Sequence, residues 1–469
     1  MTNVKIGLET HVQLDTETKL FCGCPNEEAD EPNTHVCETC LGHPGSKPRL
    51  NEKVLEFAVK TSQALQCDIN EDIFFSRKTY FYPDMSKNFQ ITQYEIPVGE
   101  EGSIEVKTGD EKKDIGINRL HIEEDPAKMK HEGGSISSSK YTKVDYNRAG
   151  TPLLEIVTAP DFRSPKEARS YLQQLAQMLE YLKIYFPESD FSIKSDANIS
   201  IDGGQRVEVK NITGTAGIEK ALSYEITRQK QLKKRGREVT QQTRSYDAGQ
   251  EITEKMREKE TEKDYGYIFD PDLTRQELDE EFREGLRAEI PELPYEKFER
   301  FVEEYGLSEK AVESLVADKE MADDFEELAE NYDTEVTASF MTGDLRKVLN
   351  YNDKEYRGDL KLEWVEYIVA LLEEEEISDR NAEKVLREIV EKPQDPKKIV
   401  EEKDLKKAEE DEVDEFIQEA IGENPEAVED YNSGDEGAIN FLVGQVMNLS
   451  QGKADPKTAR DKIIEELGE

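Results

Sequence analysis

Ile6-Gly7-Leu8-Glu9-Thr10-His11-Val12 alternates apolar and polar side chains, which is the period of a strand with one buried face. Glu9 and His11, two apart, then share the other face. The alternation returns at Gly102-Ser103-Ile104-Glu105-Val106, and helical windows such as 165–184 lie between such stretches. In that window Ser164 suits the N-cap, Pro165 the first helical position, and Glu167 the closing partner of a capping box. Residues 4 to about 290 therefore predict one mixed α/β unit.

Ile290-Pro291-Glu292-Leu293-Pro294 interrupts that pattern and predicts a domain boundary. Beyond it, charged segments with Leu, Val and Ile at helical spacing, such as Asp379 to Val390, predict amphipathic helices over 295–400. Pro393, Pro396 and the charged run to Asp411 read as a linker. A small helical unit follows, ending in Ala438-Ile439-Asn440-Phe441-Leu442-Val443-Gly444-Gln445-Val446-Met447. The expected class is α+β, with three domains at 1–294, 295–400 and 401–469.

Composition narrows the function classes. The 469 residues carry 105 Asp and Glu against 62 Lys and Arg, a net charge of −43, which excludes a generic basic nucleic-acid-binding protein. With 17 Phe, 19 Tyr and recurrent apolar periodicity, the chain can bury cores and is not disordered. No apolar run reaches the roughly 18 residues of a membrane span, and no signal-peptide pattern opens the chain, so it is expected to be soluble and cytoplasmic. Carboxylates spread along its whole length read as solvated faces suited to a salt-rich cytosol, where screening relieves self-repulsion. Walker, GxGxxG and GxSxG motifs do not occur, so phosphoryl chemistry here must lean on a metal and on positioning.

Four of the five cysteines fall within 19 positions, as Cys22-Gly23-Cys24 and Cys37-Glu38-Thr39-Cys40. Two short knuckles that each point two thiolates at one metal suit a structural, tetrahedral Zn²⁺; four reduced thiols or two disulfides are the alternatives. His35 or His43 could replace a thiolate. Cys67 reads as a small buried hydrophobe.

Three strand-like segments hold carboxylates and imidazoles: Glu9 with His11, His121-Ile122-Glu123-Glu124-Asp125, and Glu155 within Leu153-Leu154-Glu155-Ile156-Val157. Glu9, His11, Glu124 and Glu155 together offer a mostly oxygen-donor site for Mg²⁺, against the plainer reading of solvated strand-edge carboxylates. Alternation would place Lys78, Tyr80 and Tyr82 on one face, where a cation and rings could meet a phosphate and a base, or simply pack. Basic residues peak once, from Arg228 to Arg237, a candidate contact for a phosphate backbone or a solvated helix end.

These segments, in this order, resemble the GatB family, the B subunits of the tRNA-dependent amidotransferases. The resemblance is carried by Ile6 to His11, Tyr80 to Asp84, His121 to Asp125, Asp145 to Val157, Ser195 to Ser200, Glu208 to Asn211 and Phe441 to Gln445, and so runs over essentially the whole chain. The related GatE-type subunits of archaeal enzymes carry a large inserted domain for which this length leaves no room. The resemblance implies a cradle-shaped catalytic domain, a helical domain and a YqeY-like tail that reaches the tRNA. It implies ATP-dependent phosphorylation of the side-chain carboxyl of misacylated Glu-tRNA(Gln) or Asp-tRNA(Asn), then amidation by ammonia from an amidase, the A subunit, with a small C subunit wrapping the pair. It puts Mg²⁺ on Glu9, His11, Glu124 and Glu155, makes Glu124 a catalytic position, and makes Lys78 and Asp196 a charged pair at the ammonia path. Asp264 to Asp272 departs from the family's usual run, and the Ser-rich stretch from Gly133 to Lys140 is longer than in many members. A zinc-stapled tRNA adaptor without chemistry, and a free-standing ligase using ammonium, are the rival readings.

Overall fold

A computed structural model describes residues 3–132, 140–185, 193–257, 266–352, 354, 356, 360–406, 410–433, 437–450 and 453–468. Most of the Ser-rich stretch and residues 264–265 of the departing run lie outside them. The chain forms two compact units, Met1–Leu293 and Pro294–Glu469.

The first unit is built on a nine-stranded sheet. Its order is Ile252–Arg257, Gln242–Asp247, Val207–Thr213, Ile193–Ile201, Val4–Gln13, Pro152–Thr158, Glu111–Glu124, Gly99–Thr108 and Asp68–Ile69. All neighbours are antiparallel except Val207–Thr213 with Gln242–Asp247. The two faces have opposite chemistry because the strands alternate. In Ile193–Ile201 every odd-numbered residue is buried, while Lys194, Asp196, Asn198 and Ser200 stay half-buried on the other side. Ile6, Leu8, Val12, Leu154, Ile156, Leu120, Ile122, Val207 and Val209 complete the apolar face. It is covered by the helices Glu52–Ala64, Pro165–Tyr181 and Gly214–Lys234 through residues such as Phe57, Leu172, Leu175 and Leu222. Burying apolar area of this kind contributes about 25 cal/mol per Å². Close approach also constrains the edge: a Cβ on Gly102 would sit 2.4 Å from Cys67 Sγ and 2.5 Å from the Leu65 carbonyl oxygen.

Helix Pro165–Tyr181 begins as its sequence predicts, with Ser164 Oγ accepting the Glu167 N–H at 3.2 Å. The Glu167 carboxylate turns back to the Arg163 N–H at 3.0 Å. The helix stops three residues short of 184, because Lys183 adopts a φ of +57° and Ile184 N–H returns to the Leu179 carbonyl at 2.9 Å. A separate three-stranded sheet joins Gly266–Phe269, Ser76–Thr79 and Phe89–Thr92. There Arg77 reaches Asp270 at 2.7 Å and Tyr267 stacks on Tyr94 at 4.1 Å.

The second unit is helical. One core runs from Phe301 to Leu405 and another gathers Val413, Ile417, Leu442, Val446 and Ile463. The linker expected from Pro393 to Asp411 is partly a helix instead. Asp395 caps Pro396–Glu402 by accepting the Lys397 N–H at 3.0 Å, and Ile399 and Val400 are buried in the first core. Proline at the first helical position started an element there rather than ending one.

Candidate functional site

The polar face of the large sheet concentrates charge where three strands run side by side. Register aligns His11, Glu155 and His121 in one row across Val4–Gln13, Pro152–Thr158 and Glu111–Glu124. His11 Nε2 lies 3.4 Å from Glu123 Oε1 and 3.5 Å from Glu155 Oε2, and His121 Nε2 lies 3.2 Å from Glu155 Oε2. One ligand atom from each of His11, Glu123 and Glu155 fits within 4.8 Å of the others. Burial opposes charge on His11, but Glu155 and Glu123 outweigh it and hold the imidazole well above its ordinary value. Burial likewise opposes charge on Glu155, yet His121 and His11 hold that carboxyl well below the usual range.

Glu9 lies two residues before His11 and accepts from Asn198 Nδ2 at 2.8 Å. Burial and the negative charge of Glu155 push its carboxyl up. Glu124 is not in this group. Alternation turns it to the opposite face, where Lys87 Nζ bonds both of its oxygens and Ile91 N–H donates to it at 2.8 Å. Glu123, its neighbour, takes the place expected for Glu124. The rule that paired Glu9 with His11 pairs Glu123 with His121, and that was the available signal.

Asp196 and Lys78 do not pair. Lys210 Nζ holds Asp196 at 2.6 Å and lies 3.7 Å from Glu208, beside an irregularity in the pairing with Val207–Thr213. Lys78 belongs to the three-stranded sheet, opposite Gln90 and Tyr267. The basic run from Arg228 to Arg237 is also elsewhere. It sits at the end of helix Gly214–Lys234, behind the apolar face, with Arg228 held by the buried Glu225 and Lys233 by Asp202.

A cationic corner adjoins the acidic row. Lys194 is directly opposite His11. Beyond it, Asp125 accepts from Gln13 Nε2 at 2.8 Å and meets Arg148 Nε at 3.4 Å, while Arg148 also donates to the carbonyls of Pro126 and Ala127. Nothing in local spacing announced this corner, because 125, 148 and 194 meet only through sheet register.

The four knuckle thiols converge. Ligand atoms of Cys22, Cys24, Cys37 and Cys40 all lie within 4.8 Å of one another, and all five cysteines are free of disulfides. Neither His35 nor His43 belongs to the group. Cys37 N–H points at Cys40 Sγ at 3.1 Å, the backbone-to-sulfur contact that favours a thiolate. Lys19, fully buried, donates to the carbonyls of His35 at 2.8 Å and Tyr146 at 3.4 Å. The knuckle backs onto the ion pair of Glu124: a Cβ on Gly42, whose φ is +69°, would sit 2.7 Å from Lys87 Cγ. Cys67 stands apart, and burial pushes its thiol up to about 12.

Residues 4–284 match the family described as GatB/GatE catalytic domain, and residues 323–467 match the GatB domain family. The chain is 46% identical to the B subunit of the aspartyl/glutamyl-tRNA(Asn/Gln) amidotransferase of Natronomonas pharaonis, covering 98% of this chain and 97% of that protein. The protein of the same name in Haloarcula marismortui is 46% identical over the same shares. That of Methanococcoides burtonii is 42% identical over 99% and 98%.

Proposed function

The chain belongs to the GatB family of tRNA-dependent amidotransferase B subunits, and from that premise we propose that its polar sheet face amidates an aminoacyl-tRNA in two steps. A side-chain carboxylate oxygen of misacylated Glu-tRNA(Gln) or Asp-tRNA(Asn) attacks the γ-phosphorus of ATP, and ADP leaves. Ammonia then attacks the acyl carbon, phosphate leaves, and the amide remains on the tRNA. We assign the ammonia to an amidase, the A subunit, with a small C subunit in the same cytoplasmic complex. Among the described residues no helix is long and apolar enough to cross a membrane.

The observation that carries this reading is the row of His11, Glu155 and His121 with Glu123 alongside, backed by a cationic corner. Two carboxylates and one imidazole with atoms within 4.8 Å fit a hard divalent cation. His11, Glu123 and Glu155 would hold Mg²⁺, with Glu9 two residues along the His11 strand, and the ion would supply positive charge to the phosphoryl transfer. His121 keeps Glu155 ionised and oriented. Asn198 orients Glu9, and Lys210 restrains Asp196, so a charged gate at Asp196 would open by breaking its contact with Lys210. The four thiols fit Zn²⁺, which we assign a structural role.

The test combines the chain with its amidase partner, ATP, glutamine and Glu-tRNA(Gln) or Asp-tRNA(Asn). Expected are ADP release dependent on aminoacyl-tRNA and conversion of the attached Glu or Asp to its amide. Binding of tRNA without either product would leave the adaptor reading in its place.

A further inference from the structure

Lys194 is a half-buried cation without a hydrogen bond or ion pair among the described residues. Its backbone is locked opposite His11 on one side and Thr213 on the other, so its direction is fixed by the sheet. Arg148 and the exposed Lys128 carry charge of the same sign close by. The corner's carboxylate is Asp125, already engaged by Gln13 and Arg148. Arg148 in turn directs Nε and Nη2 at the carbonyls of Pro126 and Ala127, whereas among the described residues nothing holds the Lys194 amine.

An ammonium so placed is unfavourable in the resting protein. The cost is removed when an anion arrives. A compact ammonium with three donors suits a tetrahedral phosphoryl group. The neighbouring row of Glu9, Glu123 and Glu155 would repel such a group unless positive charge also stood on its other side.

We propose that Lys194 binds the phosphoryl group in transfer, first as the γ-phosphate of ATP and then as the acyl phosphate. Arg148, oriented by the carbonyls of Pro126 and Ala127, adds positive charge beside it. The assignment rests on the two-step reading above and adds the residue that meets the transferred group.

The experiment uses the complete complex with Lys194→Met and Lys194→Arg. Initial rates of ADP release are measured against ATP and against Glu-tRNA(Gln), together with inhibition by inorganic phosphate. Lys194→Met should raise the KM for ATP and weaken phosphate inhibition by about tenfold or more each, the usual scale for losing a hydrogen bond to a charged group. Lys194→Arg should recover part of both. The KM for aminoacyl-tRNA should rise far less than that for ATP, and melting temperature should be unchanged or higher. Unchanged ATP and phosphate constants in Lys194→Met would overturn the proposal. A rise confined to the KM for aminoacyl-tRNA would also overturn it and place Lys194 at the substrate carboxylate. Failure of the two-step reading is recognised separately, as a wild-type complex that releases no ADP when aminoacyl-tRNA is added.

Discussion

Glu123 and Glu124 are adjacent on one strand and serve opposite faces of the sheet, Glu123 turning to His11 and Glu124 to Lys87. Substitution should separate them. Glu123→Gln should cut phosphorylation of aminoacyl-tRNA by orders of magnitude with the fold intact, since metal-assisted charge stabilisation supplies several kcal/mol of barrier reduction. Glu124→Ala strands a buried ammonium on Lys87 and should cost about 3–5 kcal/mol of stability. Denaturant titration and ADP release on both variants check this. If Glu124→Gln abolished ADP release while unfolding at the wild-type midpoint, Glu124 would belong with the ligands.

Lys19 and the knuckle thiols should titrate one another's stability through zinc. Among the described residues the Lys19 amine meets carbonyl oxygens and no carboxylate. Four thiolates around Zn²⁺ carry two net negative charges, and that is the anion a buried ammonium lacks. Lys19→Met should therefore weaken zinc binding by about tenfold, in line with losing a hydrogen bond to a charged group, and should also stabilise the metal-stripped protein relative to wild type. Chelator competition gives the first quantity and melting with and without zinc the second. Cys22→Ser is the control, lowering zinc content and melting temperature together. Equal losses in both metal states for Lys19→Met would mean the side chain matters only for packing.

Glu225 is expected to be a stability residue with no part in chemistry. It is fully buried and accepts from Arg228 at 2.8 and 2.6 Å, from Gln229 at 2.8 Å and from Thr253 at 3.1 Å. Glu225→Ala leaves Arg228 and Arg244 facing each other and should cost about 3–5 kcal/mol. Because Glu225 is fully buried, raising KCl should not restore the loss, which urea titration at two salt concentrations would reveal. Full rescue by salt would instead mark it as a solvent-screened cluster.

The net charge of −43 sets the response to salt. Lowering KCl from molar to tens of millimolar lengthens the screening distance from about 3 Å to beyond 10 Å, so surface carboxylates should repel across the whole unit. The isolated chain should expand and melt earlier, as followed by scattering and circular dichroism. Indifference to KCl over that range would contradict the salt-adapted reading.

What could be read from residues alone followed from period. Alternation found the strand bearing Glu9 and His11, and Ser164-Pro165 found the start of a helix, since both signals are local. Four thiols at knuckle spacing were visible for the same reason. Grouping Glu124 with the acidic row did not use the one-residue parity by which Glu123 turns to His11 and Glu124 to Lys87. Lys194, Arg148 and Lys87 stayed hidden because they meet His11, Asp125 and Glu124 only through the folded sheet and its loops, for which composition holds no signal. Pro396 misled because proline marks helix starts as readily as interruptions.

The row that joins His11, Glu155 and His121 has a temporal side as well. Its members come from strands far apart in the chain, and the Lys194 corner adds a fourth, so none of the chemistry exists until distant pairings have formed in one register. Contacts this remote form slowly, because long loops must close before they are rewarded. Helices such as Pro165–Tyr181 carry their own caps and can form earlier. Metal affinity at the acidic row should thus be a late marker of refolding, lagging the helical signal, and a slip of one position in any of the three strands would erase it while leaving most of the helix content in place.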